Sequence, residues 1–417
     1  MQKIEIIEKK YSILPEKKYL KKNSVSPEEK YNICQNCILI DGSFGIKVNS
    51  DGQCSYCADP NYITPTWKKV IIKDTRRKEK LADWKKTVKQ MQEKYGSQDY
   101  CCVLGYSGGK DSTALLDTFV SEYNLRPFLI TIDTGFMTDI AKDNIKKTLG
   151  KMGLQKDHIF IDDAIPTFTK LYKYFFLDFK PKSYGKALTL EICHTCTDLI
   201  HTILVKEAVK RNLNNVIIGY SPDQIARYFY ETSPKDTYED GLPWPLGFRR
   251  QLNSDDLKWY LDEDGYLNDL PRVLYPYHVI DYDEKEIINR IESKELIEIG
   301  KGDPVLTNCH VVKAGTMYDL FRYGGITYAV QFAELIRQKG TVEERKKARK
   351  EWLRLMTRVA RNILNGTFNV QGMKAFFNRI GISREEILER IEKQLNMDPK
   401  KEKILRNIEL FRNRKFK

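Results

Sequence analysis

The sequence predicts an α/β fold: a parallel sheet with helices on both faces, a small cysteine knuckle before it and a helical domain after it. Three observations carry this expectation. Apolar runs of strand length alternate with helical periodicities through the middle of the chain, at 101–104, 128–136, 158–162 and 215–220. Two C-x-x-C pairs stand near the N-terminus. Beyond about residue 311 the apolar residues recur only at spacings of three and four. These shifts divide the chain into an arm and knuckle at 1–66, a sheet domain at 67–310 and a basic helical domain at 311–417.

A chain of 417 residues, 41% of them hydrophobic, is long enough to bury a core in two or three domains. No apolar run reaches the ~18 residues of a membrane span. The start, from Met1 to Lys10, lacks an apolar signal region. A cytoplasmic protein with no membrane partner is therefore expected. Of nine cysteines, six fall in C-x-x-C pairs, which in such a chain point to metal rather than disulfides. The net charge is +13 and uneven: residues 341–417 hold 21 Lys and Arg against 10 Asp and Glu. That balance suits an acidic partner, such as tRNA or a substrate on an acidic carrier protein; a solvated helical surface is the plainer alternative.

In chain order, residues 1–30 form a lysine-rich arm. Cys34 and Cys37, then Cys54 and Cys57, make C-x₂-C-x₁₆-C-x₂-C, with Gly42, Gly45 and Gly52 placed for a hairpin between the pairs. Four thiolates close a tetrahedral Zn²⁺ site with no open position, so the site is structural; iron of the same geometry is the alternative. Leu81, Trp84, Val88 and Met91 mark one face of a helix ending near Gly96.

The next stretch organises the rest. Cys101 to Leu104 form a buried strand, Gly105, Gly108 and Gly109 allow a sharp turn and close approach to a ligand, and Asp111, Ser112 and Thr113 open a helix. Backbone N–H groups at such a turn, the helix dipole and Lys110 favour an anion, most simply a nucleotide phosphate. Because Asp111 follows Lys110, the run is not a Walker P-loop. The strand at 128–136 ends in Asp133 and Gly135. Asp133 stands either at the nucleotide site or as the N-cap of the helix starting near Thr138. A helix at 138–152, a strand at 158–162 and a helix bearing Phe168, Leu171, Phe175 and Phe176 follow.

Cys193 and Cys196 are read at the start of a long helix that runs from Asp198 to about Asn212, where a helix N-terminus would lower their thiol pKa. A strand at 215–220 leads to Gly219, Tyr220, Ser221, Pro222 and Asp223. Cys193, Cys196 and Cys309 together offer three thiolates for a [4Fe–4S] cluster with one iron open. A buried apolar pair, zinc with His194 or His310, and a catalytic thiol or persulfide are the other readings. Arg249 and Arg250 are a clamp for phosphate or carboxylate, or partners in a surface salt bridge. Tyr318 to Gly325 are expected to form a turn over the active site. Trp352, Leu353, Leu355, Met356, Val359, Ala360, Ile363 and Leu364 form a helical stripe, and Ser383 to Glu386 a capping box.

The run Ser107-Gly108-Gly109-Lys110-Asp111-Ser112 resembles the signature of the PP-loop ATP pyrophosphatases, the adenine nucleotide alpha-hydrolase superfamily. The resemblance implies a Rossmann-like sheet, a pyrophosphate cradle at Gly105 and residues 107–112, adenylation of a substrate oxygen with release of PPi, and Asp133 near adenine or ribose. Lys110 would stabilise phosphate charge, and Mg²⁺ would bridge the phosphates and an acid such as Asp111. Cys193 and Cys196 leading to Gly219, Tyr220 and Asp223 resemble the iron–sulfur tRNA thiolases, in which a later cysteine completes the cluster. The N-terminal half, with the four cysteines, Trp84 and Ser112, resembles the N-acetyl sugar amidotransferases, which use ammonia from a separate glutaminase.

The expected function is ATP-dependent adenylation of a carbonyl or amide oxygen followed by sulfur transfer, giving a thioamide or thiolated base, with a sulfur donor as partner. The alternative is glutaminase-coupled conversion of an N-acetyl sugar to an acetamidino sugar. A non-catalytic nucleotide-binding regulator is the competing class. A homodimer is compatible with either enzyme.

Overall fold

The computed structural model describes residues 32–59, 74–95, 99–179, 187–221, 230–262, 269–302, 309–337, 339–368 and 370–413. The N-terminal arm, Pro222 to Gln224 and Pro304 to Asn308 lie outside the described residues. The chain divides into two compact units. One comprises Met1–Tyr62, Tyr172–His194 and His310–Lys417; the other comprises Ile63–Leu171 and Thr195–Cys309.

The second unit is the α/β part. Its six strands are β1 (Val103–Gly105), β2 (Phe128–Ile132), β3 (His158–Ile161), β4 (Asn215–Ile218), β5 (Glu231–Thr232) and β6 (Arg272–Leu274). They lie in the order β3-β2-β1-β4-β6-β5. All pair in parallel except β5, which runs antiparallel to β6 at the edge. β1 and β2 are apolar without alternation because helices cover both faces, which buries every side chain of β2. From β1 the chain moves outward through β2 and β3, then returns to place β4 on the other side of β1. The crevice between the ends of β1 and β4 is therefore the topological switch point, where open parallel sheets bind ligands.

Sixteen helices occur among the described residues: α1 (Ser55–Ala58), α2 (Asp74–Tyr95), α3 (Lys110–Asp117), α4 (Asp139–Met152), α5 (Ile165–Leu177), α6 (Leu188–Lys210), α7 (Pro234–Asp240), α8 (Leu246–Arg249), α9 (Ser254–Leu257), α10 (Glu284–Ser293), α11 (His310–Tyr323), α12 (Ala329–Arg337), α13 (Val342–Leu364), α14 (Val370–Ile380), α15 (Arg384–Asn396) and α16 (Lys401–Asn413). The expected apolar face of α2 packs as read: Trp84, Val88 and Met91 join the core formed with Leu104, Leu115 and Leu129. Arg272 at the start of β6 ties this helix to the sheet edge. Its guanidinium donates to both carboxylate oxygens of Glu231 at 2.8 Å and to Asp83 at 2.6 Å. Thr138 caps α4, accepting from Ala141 N, so Asp133 is not that helix's N-cap.

The first unit joins the cysteine hairpin to the C-terminal helices. α11 is its centre, buried on nearly every side because α14, α15 and α16 all pack on it. The expected capping box is formed: Ser383 and Glu386 satisfy each other's backbone N–H groups at the start of α15. Residues read as a turn over the active site have another place. Tyr318 to Tyr323 complete α11, and Gly324 and Gly325 pack against the hairpin, where Ser43 Oγ donates to Gly324 O at 2.9 Å. A Cβ on Gly325 would lie 2.7 Å from the Phe44 ring, so glycine permits this approach. α6 is the one described helix long and apolar enough to cross a membrane, and just over half of its apolar window is buried inside the protein.

Candidate functional site

Cys34, Cys37, Cys54 and Cys57 bring their sulfur atoms within 4.8 Å of one another. Among the described residues no other set of three or more Cys, His, Asp or Glu does so. The Cys37 and Cys54 sulfurs are 3.6 Å apart, close to the ~3.8 Å edge of a tetrahedron with metal–sulfur bonds of ~2.3 Å. The donor chemistry therefore fits Zn²⁺ or an iron of the same geometry. Backbone hydrogen bonds shape the hairpin: Cys34 N donates to Leu39 O, Gln35 N to Gly52 O, and Cys57 N to Cys54 O. Gly52 has φ +73°, and a Cβ there would strike the Gln35 side chain. Cys54 N donates to Cys34 Sγ at 3.3 Å.

The four thiols cannot all ionise unaided. Hydrogen bonds from Cys37, Cys54 and Cys57 hold Cys34 well below the ordinary thiol range, and the same contact with Cys34 pushes Cys37 up. A bound dication removes that conflict, since all four become thiolates. Two arginines from the helices complete the surroundings. Arg349 on α13 donates to Cys37 O at 2.7 Å and Cys34 O at 2.8 Å. Arg337 on α12 approaches Cys57 Sγ at 3.7 Å. Sequence patterning gave no sign of either, because both lie some 280 residues or more from their partners.

The glycine turn lies at the switch point. Tyr106 leaves β1 with its N–H on Ile130 O, and Thr131 Oγ1 donates to Tyr106 O at 2.6 Å. Gly108 has φ +71°, and a Cβ there would sit 2.4 Å from Ala141 O. Only glycine fits. Gly109 precedes α3 in extended backbone, and no side chain caps that helix. Its first-turn N–H groups thus face the crevice end of the sheet uncapped. The hydroxyls of Ser107 and Ser112 are 3.1 Å apart and brace the loop from inside. At the end of β4, a Cβ on Gly219 would lie 3.1 Å from Ser112 Cα, so glycine lets the end of this strand approach the first turn of α3.

Lys110 and Asp111 are both buried and paired with each other, with Lys110 Nζ 2.9 and 2.8 Å from the two carboxylate oxygens. Tyr282 joins both, 2.9 Å from Lys110 Nζ and donating to Asp111 Oδ1 at 2.8 Å. Glu284, half-exposed, lies 3.3 Å from the same ammonium. Tyr277 donates to Asp111 O, and its burial pushes the phenol well above its ordinary range. Tyr282 was not singled out from sequence, because it carries no periodic signal. Asp133 is buried at the end of β2, accepting from Gly135 N at 2.7 Å and pairing with Lys142 at 2.8 Å.

The second cysteine pair is placed differently from the expectation. α6 begins at Leu188, ten residues before Asp198, so Cys193 and Cys196 lie in the helix body. The dipole effect fades within the first turn of a helix, and the expected helix-end position of the pair is not found. Both are half-buried, as is Cys309, which precedes α11. Cys193 Sγ is 3.5 Å from the Tyr328 hydroxyl. Cys193 belongs to the first unit, Cys196 and Cys309 to the second. Arg249 and Arg250 are exposed.

No protein-family model matches the chain, and no curated protein matches it either.

Proposed function

We propose that the chain is a PP-loop ATP pyrophosphatase that activates a carbonyl or amide oxygen as its adenylate. The observation that carries this reading is the glycine turn at the sheet's switch point, with uncapped N–H groups of α3, a buried lysine and Gly219 pressed against Ser112. In this reading ATP phosphates take the turn N–H groups, and Lys110 exchanges part of its pairing with Asp111 for them. Asp111, giving up part of its pairing with Lys110, and Glu284 are the carboxylates that would hold Mg²⁺, which would neutralise phosphate charge.

The substrate oxygen attacks the α-phosphorus and PPi leaves. A nucleophile then adds to the activated carbon, and AMP departs with the substrate's oxygen. Sulfur as that nucleophile gives a thioamide or thiolated base. A thiolate-held [4Fe–4S] cluster, as the resemblance to the iron–sulfur tRNA thiolases implies, would supply an open iron for sulfur. Ammonia, delivered by a glutaminase, is the second reading. It needs no three-cysteine constellation and no helix-end activation of Cys193 and Cys196, which lie in the body of α6. For the acceptor, the exposed basic row Lys347, Lys350, Arg354 and Arg358 on α13 suits an RNA.

The test is product identity. With ATP, Mg²⁺ and a fractionated pool of RNA and small metabolites, ³¹P NMR should show AMP and PPi. ADP and phosphate would contradict the reading, and ATP binding without turnover in any fraction would favour a regulator.

A further inference from the structure

Cys101 and Cys102 take no part in the activation chemistry. They stand together before β1, and their sulfur atoms are 3.5 Å apart. Neighbours along an extended strand point to opposite faces, so this closeness belongs to the bend at Cys101. Two backbone hydrogen bonds seat the bend beside the entry of β2: Cys101 N donates to Arg126 O at 3.0 Å, and Phe128 N to Cys102 O at 2.8 Å.

The two thiols differ in access. Cys102 is wholly buried, and burial pushes its thiol well above the ordinary range. Cys101 is 7% exposed and lines a cavity of about 650 Å³ together with Gln90 and Lys94 of α2, Asn215 and Arg272. Asn215 and Arg272 open β4 and β6, so the cavity lies at the end of the parallel sheet away from the glycine turn. A thiol on a cavity wall with a second thiol behind it suits two-step oxidation by a small peroxide. The first thiol becomes a sulfenic acid, and the second resolves it before further oxidation.

We propose that Cys101 and Cys102 are a reversible oxidation site that closes to a vicinal disulfide, with a small hydroperoxide as the oxidant. The Cys101 thiolate attacks one peroxide oxygen, the O–O bond breaks, and the other oxygen leaves and takes up the thiol proton. The Cys102 sulfur then attacks the Cys101 sulfur, the S–O bond breaks, and the hydroxyl leaves as water with the Cys102 proton. With hydrogen peroxide the sum is two S–H bonds lost, one S–S bond formed and two waters released; the protein gives up two electrons and the peroxide accepts them. Ordinary disulfides join Cα atoms about 4.4–6.8 Å apart, whereas adjacent Cα atoms are only ~3.8 Å apart across a trans peptide. A disulfide between neighbours is therefore strained and easily reduced, which makes the modification reversible. This chemistry does not depend on the adenylation reading.

The tryptic peptide 95–110 carries both cysteines and no other, which allows a direct test by mass. The whole chain is treated with hydrogen peroxide, blocked with iodoacetamide under denaturing conditions and digested. The peptide should have lost two hydrogens and carry no alkyl group, and dithiothreitol before blocking should restore both alkylation sites. Cys102→Ser removes the resolving thiol, so dimedone should label Cys101 in that variant and not in wild type. Should Cys102→Ser lose its fold by circular dichroism, the wild-type peptide decides together with Cys101→Ser, in which the buried Cys102 should remain fully open to alkylation after peroxide. Two alkyl groups on the wild-type peptide after peroxide, a dimedone adduct on wild-type Cys101, or a disulfide from either cysteine to any other cysteine would overturn the proposal.

Discussion

Gly108 and Gly109 are neighbours under different constraints. Gly108 needs its left-handed backbone, and any side chain would meet the Ala141 carbonyl. Gly108→Ala should therefore cost at least ~1–2 kcal/mol from backbone conformation alone, and thermal melting should fall by several degrees. Gly109 has φ −82°, and a Cβ there would sit in ordinary contact, 3.4 Å from Ser107 Oγ. Gly109→Ala should leave melting within about 0.5 kcal/mol of wild type. Equilibrium ATP titration should nevertheless weaken, because the added methyl crowds the phosphates; undiminished ATP affinity would remove Gly109 from the cradle.

Asp319 in α11 gives a pH prediction. It is fully buried, and desolvation raises its carboxyl to about 6, against hydrogen bonds from Thr189 Oγ1, Thr327 Oγ1 and Leu188 N that oppose the rise. Between 3.8 and about 6 the folded state holds more protons than the unfolded state. Stability from this group is thus fullest at low pH and falls as pH rises through about 6. Relative to Asp319→Asn, wild type should lose ~3 kcal/mol of stability across that window. Hydrogen exchange of α11 amides at both ends of the window would read it; parallel curves for the two proteins would refute it.

At the scale of elements, the cysteine hairpin and α13 form one device. Arg349 fixes the carbonyls of two ligand residues and so sets the turn that presents their sulfurs. Once loaded with zinc, Arg349→Ala should release it to a competing chelator about 10–100-fold faster than zinc-loaded wild type. Arg349→Lys should recover little, since a point ammonium does not reproduce a planar fork that reaches two carbonyls. Stripping the metal should abolish amide protection across residues 32–59 while leaving the sheet strands protected.

The elements also show what sequence reveals. β2, α4 and β3 were legible because apolar runs and helical spacings are local signals, whereas the cap of α4 proved to be Thr138 and not Asp133. The start of α6 was missed because the helix was read as running from Asp198, with Cys193 and Cys196 at its opening. Asp319 secures the true start, accepting from Leu188 N and Thr189 N across 130 residues or more. The four-cysteine site was legible from spacing alone, while Arg337, Arg349, Tyr277 and Tyr282 reach their partners through tertiary structure. The two-residue β5 is too short for any period to register.

At the scale of the molecule, the hairpin and the C-terminal helices belong to one unit. Asn407 on α16 donates to Asp41 O at 2.7 Å, and Arg349 holds the cysteine turn. Deleting the basic tail would therefore damage the metal site as well as remove charge. Reversing Lys347, Lys350, Arg354 and Arg358 to Glu keeps the helix and tests its surface alone. If the acceptor is an RNA, that variant should bind it more weakly, and the slope of log K against log salt should shrink by up to ~0.9 per lost phosphate contact. An unchanged slope would exclude this face of α13 from RNA binding.

In the proposed adenylation reaction the glycine turn directs ATP to an acceptor oxygen. Its most direct test follows that oxygen: acceptor labelled with ¹⁸O at its carbonyl, turned over with unlabelled ATP, and AMP analysed by mass spectrometry. Adenylation predicts one ¹⁸O in each AMP and none in pyrophosphate. Unlabelled AMP, or label retained in the product, would contradict it.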